Sequence, residues 1–296
     1  MTEPIRLRAN AKLNLFLRVM AARHGWHELE TIFHSVELAD VLEFQAASPG
    51  EIAVAMSAPS AEQTHLPAPE DNLVTIAASR LARLAPRPVG ASIAVTKHLP
   101  VGAGLAGGSA DAAATLAGLN ALWGLGLDRR SMLELAGTLG SDVPFCLGGG
   151  TAVGRGRGSD LTPVPEAASM WFVLGISDRP MMTARVYEEW DRVGASGGDI
   201  DAMVGALTAG DPAEISRCLH NDLRVPAVSL RPDIGEGIQA MRDGGALGAE
   251  MSGSGPTVFG LAVDHAHAET VAQKVRSAFA RVEVVGSAPA GLEGLP

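Results

Sequence analysis

The chain has 296 residues, 47% hydrophobic and 19% charged, with a formal net charge of −10 at pH 7, which allows one large or two ordinary domains with buried cores. The acidic balance argues against a nucleic-acid partner, since phosphate backbones are gripped by clustered Lys and Arg. No apolar run approaches a bilayer span and the opening Met-Thr-Glu-Pro-Ile-Arg has no signal-peptide core, so a cytoplasmic protein with no membrane partner is expected.

Residues 5–19 alternate apolar and polar with a break near Asn10, which predicts strands interrupted by a loop or bulge. Further strand patterns cover 32–38, 41–45, 52–56 and 91–96, and helical patterns cover 72–84, 109–123 and 129–139. After Gly148-Gly149-Gly150 a hairpin is expected, then an apolar strand over 170–176 and helices over 184–193, 200–207, 212–219 and 232–243. The end predicts a strand at 257–263, a helix at 266–281, a strand at 282–286 and a loose tail from 288 to 296. Strands and helices interleave without a strict βα repeat, an α+β pattern.

Cys146 and Cys218 lack metal-ligand spacing and predict buried thiols, neither a disulfide nor a zinc site. His265 and His267 read as the surface of a helix start, so no metal ligands are assigned. The run Gly154-Arg155-Gly156-Arg157-Gly158 reads as a turn between strands.

The most informative segment runs from Lys97 to Ala114, where a strand meets Pro100, then glycines at 102, 104, 107 and 108, then Ser109 opening an Ala-rich helix. Glycines free the backbone to aim N–H groups inward, and a helix N-terminus adds unpaired donors, so the order suits a polyphosphate. By itself the loop also reads as an ordinary turn. No Gly-Lys pair occurs anywhere in the chain, which excludes a P-loop, and no acidic residue closes a second strand where a dinucleotide fold needs one.

The run Pro100, Val101, Gly102, Ala103, Gly104, Leu105, Ala106, Gly107, Gly108, Ser109, Ala110 resembles the ATP-phosphate motif of the GHMP kinases. The flanking segments most resemble the branch of that superfamily acting on a cytidine diphosphate-linked methylerythritol in the non-mevalonate isoprenoid pathway. The resemblance covers nearly the whole chain. It implies an N-terminal domain like ribosomal protein S5 domain 2 (residues 1–155), a ferredoxin-like C-terminal domain (residues 156–296), and an active site between them using ATP and Mg²⁺. A monomer or homodimer is expected.

Lysine is scarce, Lys12, Lys97 and Lys274 being the only three. By pattern Lys12 is a strand-edge charge reaching water, and Asp142 in Ser141-Asp142-Val143-Pro144 an ordinary turn residue. The resemblance instead implies that Asp142 is the catalytic base and Lys12 its partner, and that Asn14 binds the substrate. It makes Ser252, Gly253, Ser254 and Gly255 a second, substrate-binding glycine loop that faces the first and is expected to help enclose the phosphates or the reacting hydroxyl. Trp26 and His27 occupy the place where the family carries an aromatic and a His that hold the base, with Tyr187 closing the other side. In Arg23-His24-Gly25-Trp26-His27 the family's Asp is replaced by His24, which leaves open an acceptor other than the cytidine compound, or a catalytically silent nucleotide-binding relative. Ser109 is expected to cap its helix, and Asp111 either to point away from the phosphates or to act through the metal.

Overall fold

Two apolar-rich segments, residues 5–23 and 26–46, pair along almost their whole length into one long hairpin in the computed structural model, which describes residues 3–23, 25–58, 68, 71–164, 169–194 and 197–294. Its strands are β1 (Ile5–Arg23) and β2 (Trp26–Ala46), in register from Ile5 opposite Phe44 to Arg23 opposite Trp26. Register shifts at Asn10/Ala11, Asn14/Phe16 and Val19/Ala22 bend the hairpin. Such bulges change which face a side chain occupies, and here both faces are covered, so residues 9–17 are all buried. That is why the expected break near Asn10 appears as a bulge within one strand.

The chain continues through β3 (Ile52–Ser57), α1 (Leu73–Ala82), β4 (Ala91–Thr96), α2 (Gly107–Trp123), α3 (Arg129–Leu139), α4 (Val143–Gly148), β5 (Thr151–Gly156) and β6 (Asp160–Pro163). The second half runs β7 (Trp171–Ile176), α5 (Thr183–Val193), α6 (Ile200–Ala209), α7 (Pro212–Cys218), β8 (His220–Asn221), α8 (Arg224–Leu230), α9 (Pro232–Asp243), β9 (Gly248–Met251), β10 (Val258–Ala262), α10 (His265–Val275), β11 (Arg281–Gly286) and β12 (Leu292–Glu293).

The first sheet has the order β12-β1-β2-β4-β3, with β5 and β8 joining β2 and β1 and β6 pairing β5. The second has the order β11-β7-β10-β9, all antiparallel. That order, with helices between β7 and β9 and between β10 and β11, is the ferredoxin-like arrangement. The change of sheet falls between β6 and β7, so the hairpin of β5 and β6 lies wholly in the first sheet. One core packs α1 and the Ala-rich α2 on the first sheet around Phe44, Ile93 and Leu116. A second, around Leu13, Phe16, Phe172 and Phe259, lies between the sheets, and a third lines the second sheet against α9 and α10.

Two expectations are corrected here. Ser109 does not cap α2; the helix begins at Gly107 and its N-cap is Ala106, in the left-handed region at φ 59° with no side-chain cap. The tail is not loose as far as residue 294: β12 pairs β1, Asn10 N donates to Gly291 O at 2.9 Å, and Leu292 is buried. A Cβ on Gly291 would stand 2.0 Å from Cys146 O, so only glycine lets the tail lie this close to α4. Residues 295 and 296, and His24, lie outside the described residues. Cys146 is buried as expected, while Cys218 is half-buried.

Candidate active site

A cavity of about 550 Å³ opens where the glycine loop, the β1–β2 hairpin and the 252–257 loop meet. Pro100, Val101, Gly102, Ala103, Gly104, Ala106, Gly107, Gly108 and Ser109 line it. Leu105 and Ala110 do not; both are buried, Leu105 between the sheets and Ala110 within the first turn of α2 where it packs on the first core. Carbonyls of the loop are turned outward and held: Gly102 O, Ala103 O and Leu105 O accept from the N–H groups of Met181, Thr257 and Lys12 at 3.3, 3.3 and 3.2 Å. The first-turn amides of α2 have no intrahelical acceptor, and with Ala106 as an uncapped N-cap they are left for an anion.

The two glycine loops touch. A Cβ on Gly104, at φ +79°, would lie 2.3 Å from Ser252 O, so the contact requires glycine on steric and conformational grounds. Gly104 O accepts from Ser252 Oγ at 3.0 Å and from Lys12 Nζ at 3.1 Å. Gly253 and Ser254 line the cavity, whereas Ser252 and Gly255 brace the loop from behind. Ser254 Oγ meets Thr183 Oγ1 at 2.9 Å, tying this loop to α5.

Lys12 is buried, and its Nζ donates to Asn14 Oδ1 at 2.6 Å and faces Asp142 Oδ2 at 3.6 Å, lying 5.7 Å from the centre of the Phe33 ring. Asn14 Nδ2 donates in turn to Thr31 Oγ1 at 2.8 Å, which donates to Phe16 O at 2.7 Å. Asp142 is the N-cap residue of α4 but makes no capping hydrogen bond, so its carboxylate is turned to the cavity, which it lines. A carboxylate beside a fixed ammonium, in reach of a helix N-terminus, can take a proton from an alcohol while an incoming phosphate is held nearby.

Of the expected acceptor-side residues, Tyr187 lines the cavity. Burial, and then the charge of Asp142, push its phenol above the ordinary range. Trp26 and His27 are not part of the lining. Trp26 is 57% exposed and one face of its ring is covered by Arg157, whose guanidinium carbon lies 4.0 Å from the ring centre. His27 packs beside Tyr187 and Trp190, with centroid separations of 5.2 and 5.1 Å, and its Nε2 meets Asp191 Oδ1 at 2.8 Å.

Sequence reading missed the charged group under α2. Lys97 Nζ donates to Asp111 Oδ2 at 2.5 Å and also to Asp40 Oδ2, all three side chains being buried. Burial works to depress the Lys97 ammonium, but Asp111 and Asp40 outweigh it and hold it raised. Burial pushes the Asp111 carboxyl up against the opposing pull of Lys97. Asp111 is one of the residues that line the cavity; its Oδ2 is held by Lys97, and its Oδ1 is buried with no hydrogen-bond partner. The scarcity of lysine was a signal for Lys97; nothing local pointed to Asp40. Asn221 was also missed, and its Nδ2 holds the second loop through Met251 O at 2.7 Å and Gly253 O at 2.8 Å.

The description "GHMP kinases N terminal domain" matches residues 72–150 and "GHMP kinases C terminal" matches residues 203–281. A 4-diphosphocytidyl-2-C-methyl-D-erythritol kinase of Thermobifida fusca is 41% identical over 281 residues, 92% of this chain and 92% of that protein. The chain belongs to the GHMP kinases, in the 4-diphosphocytidyl-2-C-methyl-D-erythritol kinase family. A second relative of the same name, from Gloeobacter violaceus, is 40% identical across 90% of this chain and 88% of its own length. Among solved structures, a 4-(cytidine 5'-diphospho)-2C-methyl-D-erythritol kinase aligns with TM-score 0.78 and 34% identity, covering 96% of this chain and 99% of that one. A homoserine kinase from Cytophaga hutchinsonii, at 21% identity and TM-score 0.77 over 99% and 98% of the two chains, shares the fold. As a GHMP kinase, the chain is an ATP-dependent phosphotransferase.

Proposed function

We propose that the chain transfers the γ-phosphoryl group of ATP to the 2-hydroxyl of 4-diphosphocytidyl-2-C-methyl-D-erythritol. The observation that carries this reading is the meeting, in one cavity, of an uncapped helix N-terminus with the Lys12–Asp142 pair. The loop from Pro100 to Ser109 and the amides of α2 hold the β- and γ-phosphates. Asp142 orients the acceptor hydroxyl and takes its proton as the oxygen bonds to the γ-phosphorus and the bond to the β,γ-bridging oxygen breaks, releasing ADP. Lys12 stabilises the charge that develops between them, and Asn14 fixes the Lys12 ammonium through the 2.6 Å hydrogen bond.

Mg²⁺ fits the residues present. The partnerless, buried Asp111 Oδ1 and the Ser109 hydroxyl both belong to cavity-lining residues in the first turns of α2, a hard oxygen set suited to that cation. Bound there, Mg²⁺ would offset phosphate charge, and it would relieve the surplus negative charge of Asp40, Asp111 and Lys97.

Tyr187 closes the acceptor end beside His27. The placement of Trp26 outside the lining favours a second reading, a kinase for another nucleotide-linked polyol or small alcohol. Coupled ADP release with the cytidine compound, homoserine, mevalonate and galactose separates the two. Turnover with the cytidine compound alone is expected. Turnover with a different acceptor establishes the second reading, and nucleotide binding without any turnover contradicts both.

A further inference from the structure

Three cationic side chains line the cavity: Lys12, Lys97 and Arg157. Lys12 faces Asp142, and Lys97 is held between Asp40 and Asp111. Arg157 alone has no carboxylate partner among the described residues. The same cavity is lined by Asp71, Asp111 and Asp142, so an acceptor carrying its own negative charge enters a site already rich in carboxylates. Like charges there raise the cost of binding unless a cation meets them.

The placement of Arg157 is set by the sheet. Leu29, Thr31 and Phe33 alternate along β2 and line one wall of the cavity, and Gly156 pairs with Leu29. Arg157 therefore stands one residue beyond that pair, at the far end of the wall from Phe33, over whose ring Lys12 lies. Phe33 is four residue steps along the strand from Leu29, about 13 Å at ~3.3 Å per residue. In the proposed acceptor the diphosphate begins two carbons beyond the carbon that bears the reacting hydroxyl and runs on toward the nucleoside, so a cation at the outer end of this wall faces the diphosphate side of the acceptor, away from Lys12.

Arg157 is also held in orientation without being neutralised. Its guanidinium lies over the Trp26 ring at 4.0 Å, an arrangement that leaves the N–H edges free in the ring plane. A planar fork with free edges suits two phosphate oxygens at once. The exposed Trp26 then serves as a platform for Arg157.

We propose that Arg157, braced on Trp26, is the residue that recognises the diphosphate of the acceptor. This rests on the acceptor reading given above and assigns the β5–β6 turn a specificity role within it.

The test is equilibrium binding of cytidine and of CDP to the full-length protein, with the ATP site saturated by a non-hydrolysable ATP analogue. Wild-type protein is expected to bind CDP more tightly than cytidine. Arg157→Ala is expected to weaken CDP by about tenfold or more, the usual scale for a lost charge-assisted pair, while cytidine changes less than about twofold, and Arg157→Lys is expected to recover part of the loss. Equal weakening of both ligands, or no weakening of either, overturns the inference. Wild-type protein that binds cytidine but gains nothing from the diphosphate overturns it while the acceptor reading stands. Wild-type protein that binds neither overturns the acceptor reading and this inference with it.

Discussion

Lys12 and Asp142, from the first strand and from the start of α4, meet with Nζ and Oδ2 3.6 Å apart, although they lie on opposite sides of the glycine loop in the sequence. The bulges in β1 let a buried strand carry this lysine toward the cavity while its neighbours fill the cores. Lys12→Met keeps the length of the side chain and removes its charge. Turnover should fall about 10²–10³-fold, the scale for removing one preorganised donor at a developing charge, with ATP affinity changed only a few-fold. Lys12→Arg should not restore it, because the ammonium sits in a closed ring of Asn14 Oδ1, Gly104 O and Asp142. Steady-state kinetics of the two variants check this.

Gly104→Ala should damage both loops at once. The added Cβ would meet Ser252 O at 2.3 Å and Gly255 O at 3.0 Å, and the positive φ adds backbone strain. A loss of about 1–3 kcal/mol in stability is expected, together with weakened nucleotide binding. Thermal denaturation with and without an ATP analogue measures both. Wild-type stability with wild-type nucleotide binding would mean that the loops do not touch.

His34 provides a pH dependence separate from the active site. Its Nδ1 and Nε2 meet Thr151 Oγ1 and Ser287 Oγ, each at 2.8 Å, and burial lowers its pKa from 6.5 to about 4. The unfolded chain binds the proton near pH 6.5 and the folded chain only near pH 4, so stability is full above pH 6.5 and is lost as pH falls toward 4. At ~1.4 kcal/mol per pH unit the whole loss is about 3 kcal/mol. His34→Gln should flatten the wild-type fall in stability between about pH 6.5 and 5, a range above most carboxylate titration. Parallel denaturation curves for the two proteins would contradict it.

Asp111→Asn tests the proposed metal side of the cleft. Lys97 keeps Asp40 as its partner, so the fold should survive, while the surplus negative charge is gone. The concentration of Mg²⁺ needed to half-saturate the binding of an ATP analogue should rise several-fold. An unchanged Mg²⁺ requirement would remove Asp111 from that role.

The glycine loop was legible because a polyphosphate site demands small residues and a helix start in contiguous sequence, and Lys12 stood out among three lysines. The ionic group beneath the loop was not, since Asp40 and Lys97 are 57 residues apart and meet only through strand pairing. Ser109 was misread as a cap because its side-chain chemistry favours that position; Ala106 in the left-handed region starts the helix earlier. The tail from residue 288 is made of Ala, Gly, Pro and Leu with a single Glu, a composition that reads as loop, and what orders it as far as residue 294 is its pairing with β1 and close backbone contact with α4 through Gly291. The stacking of Arg157 on one face of Trp26 joins the start of β2 to the β5–β6 turn, a pairing that no local pattern carries.

The most direct test is Asp142→Asn, assayed for ADP release with the cytidine acceptor and, in parallel, for equilibrium binding of an ATP analogue. The substitution keeps the shape of the side chain and removes its capacity to accept the proton. Turnover should fall by at least about 10²–10⁴-fold, with affinity for the analogue within about twofold of wild type. Turnover near the wild-type rate would contradict the central role given to the Lys12–Asp142 pair.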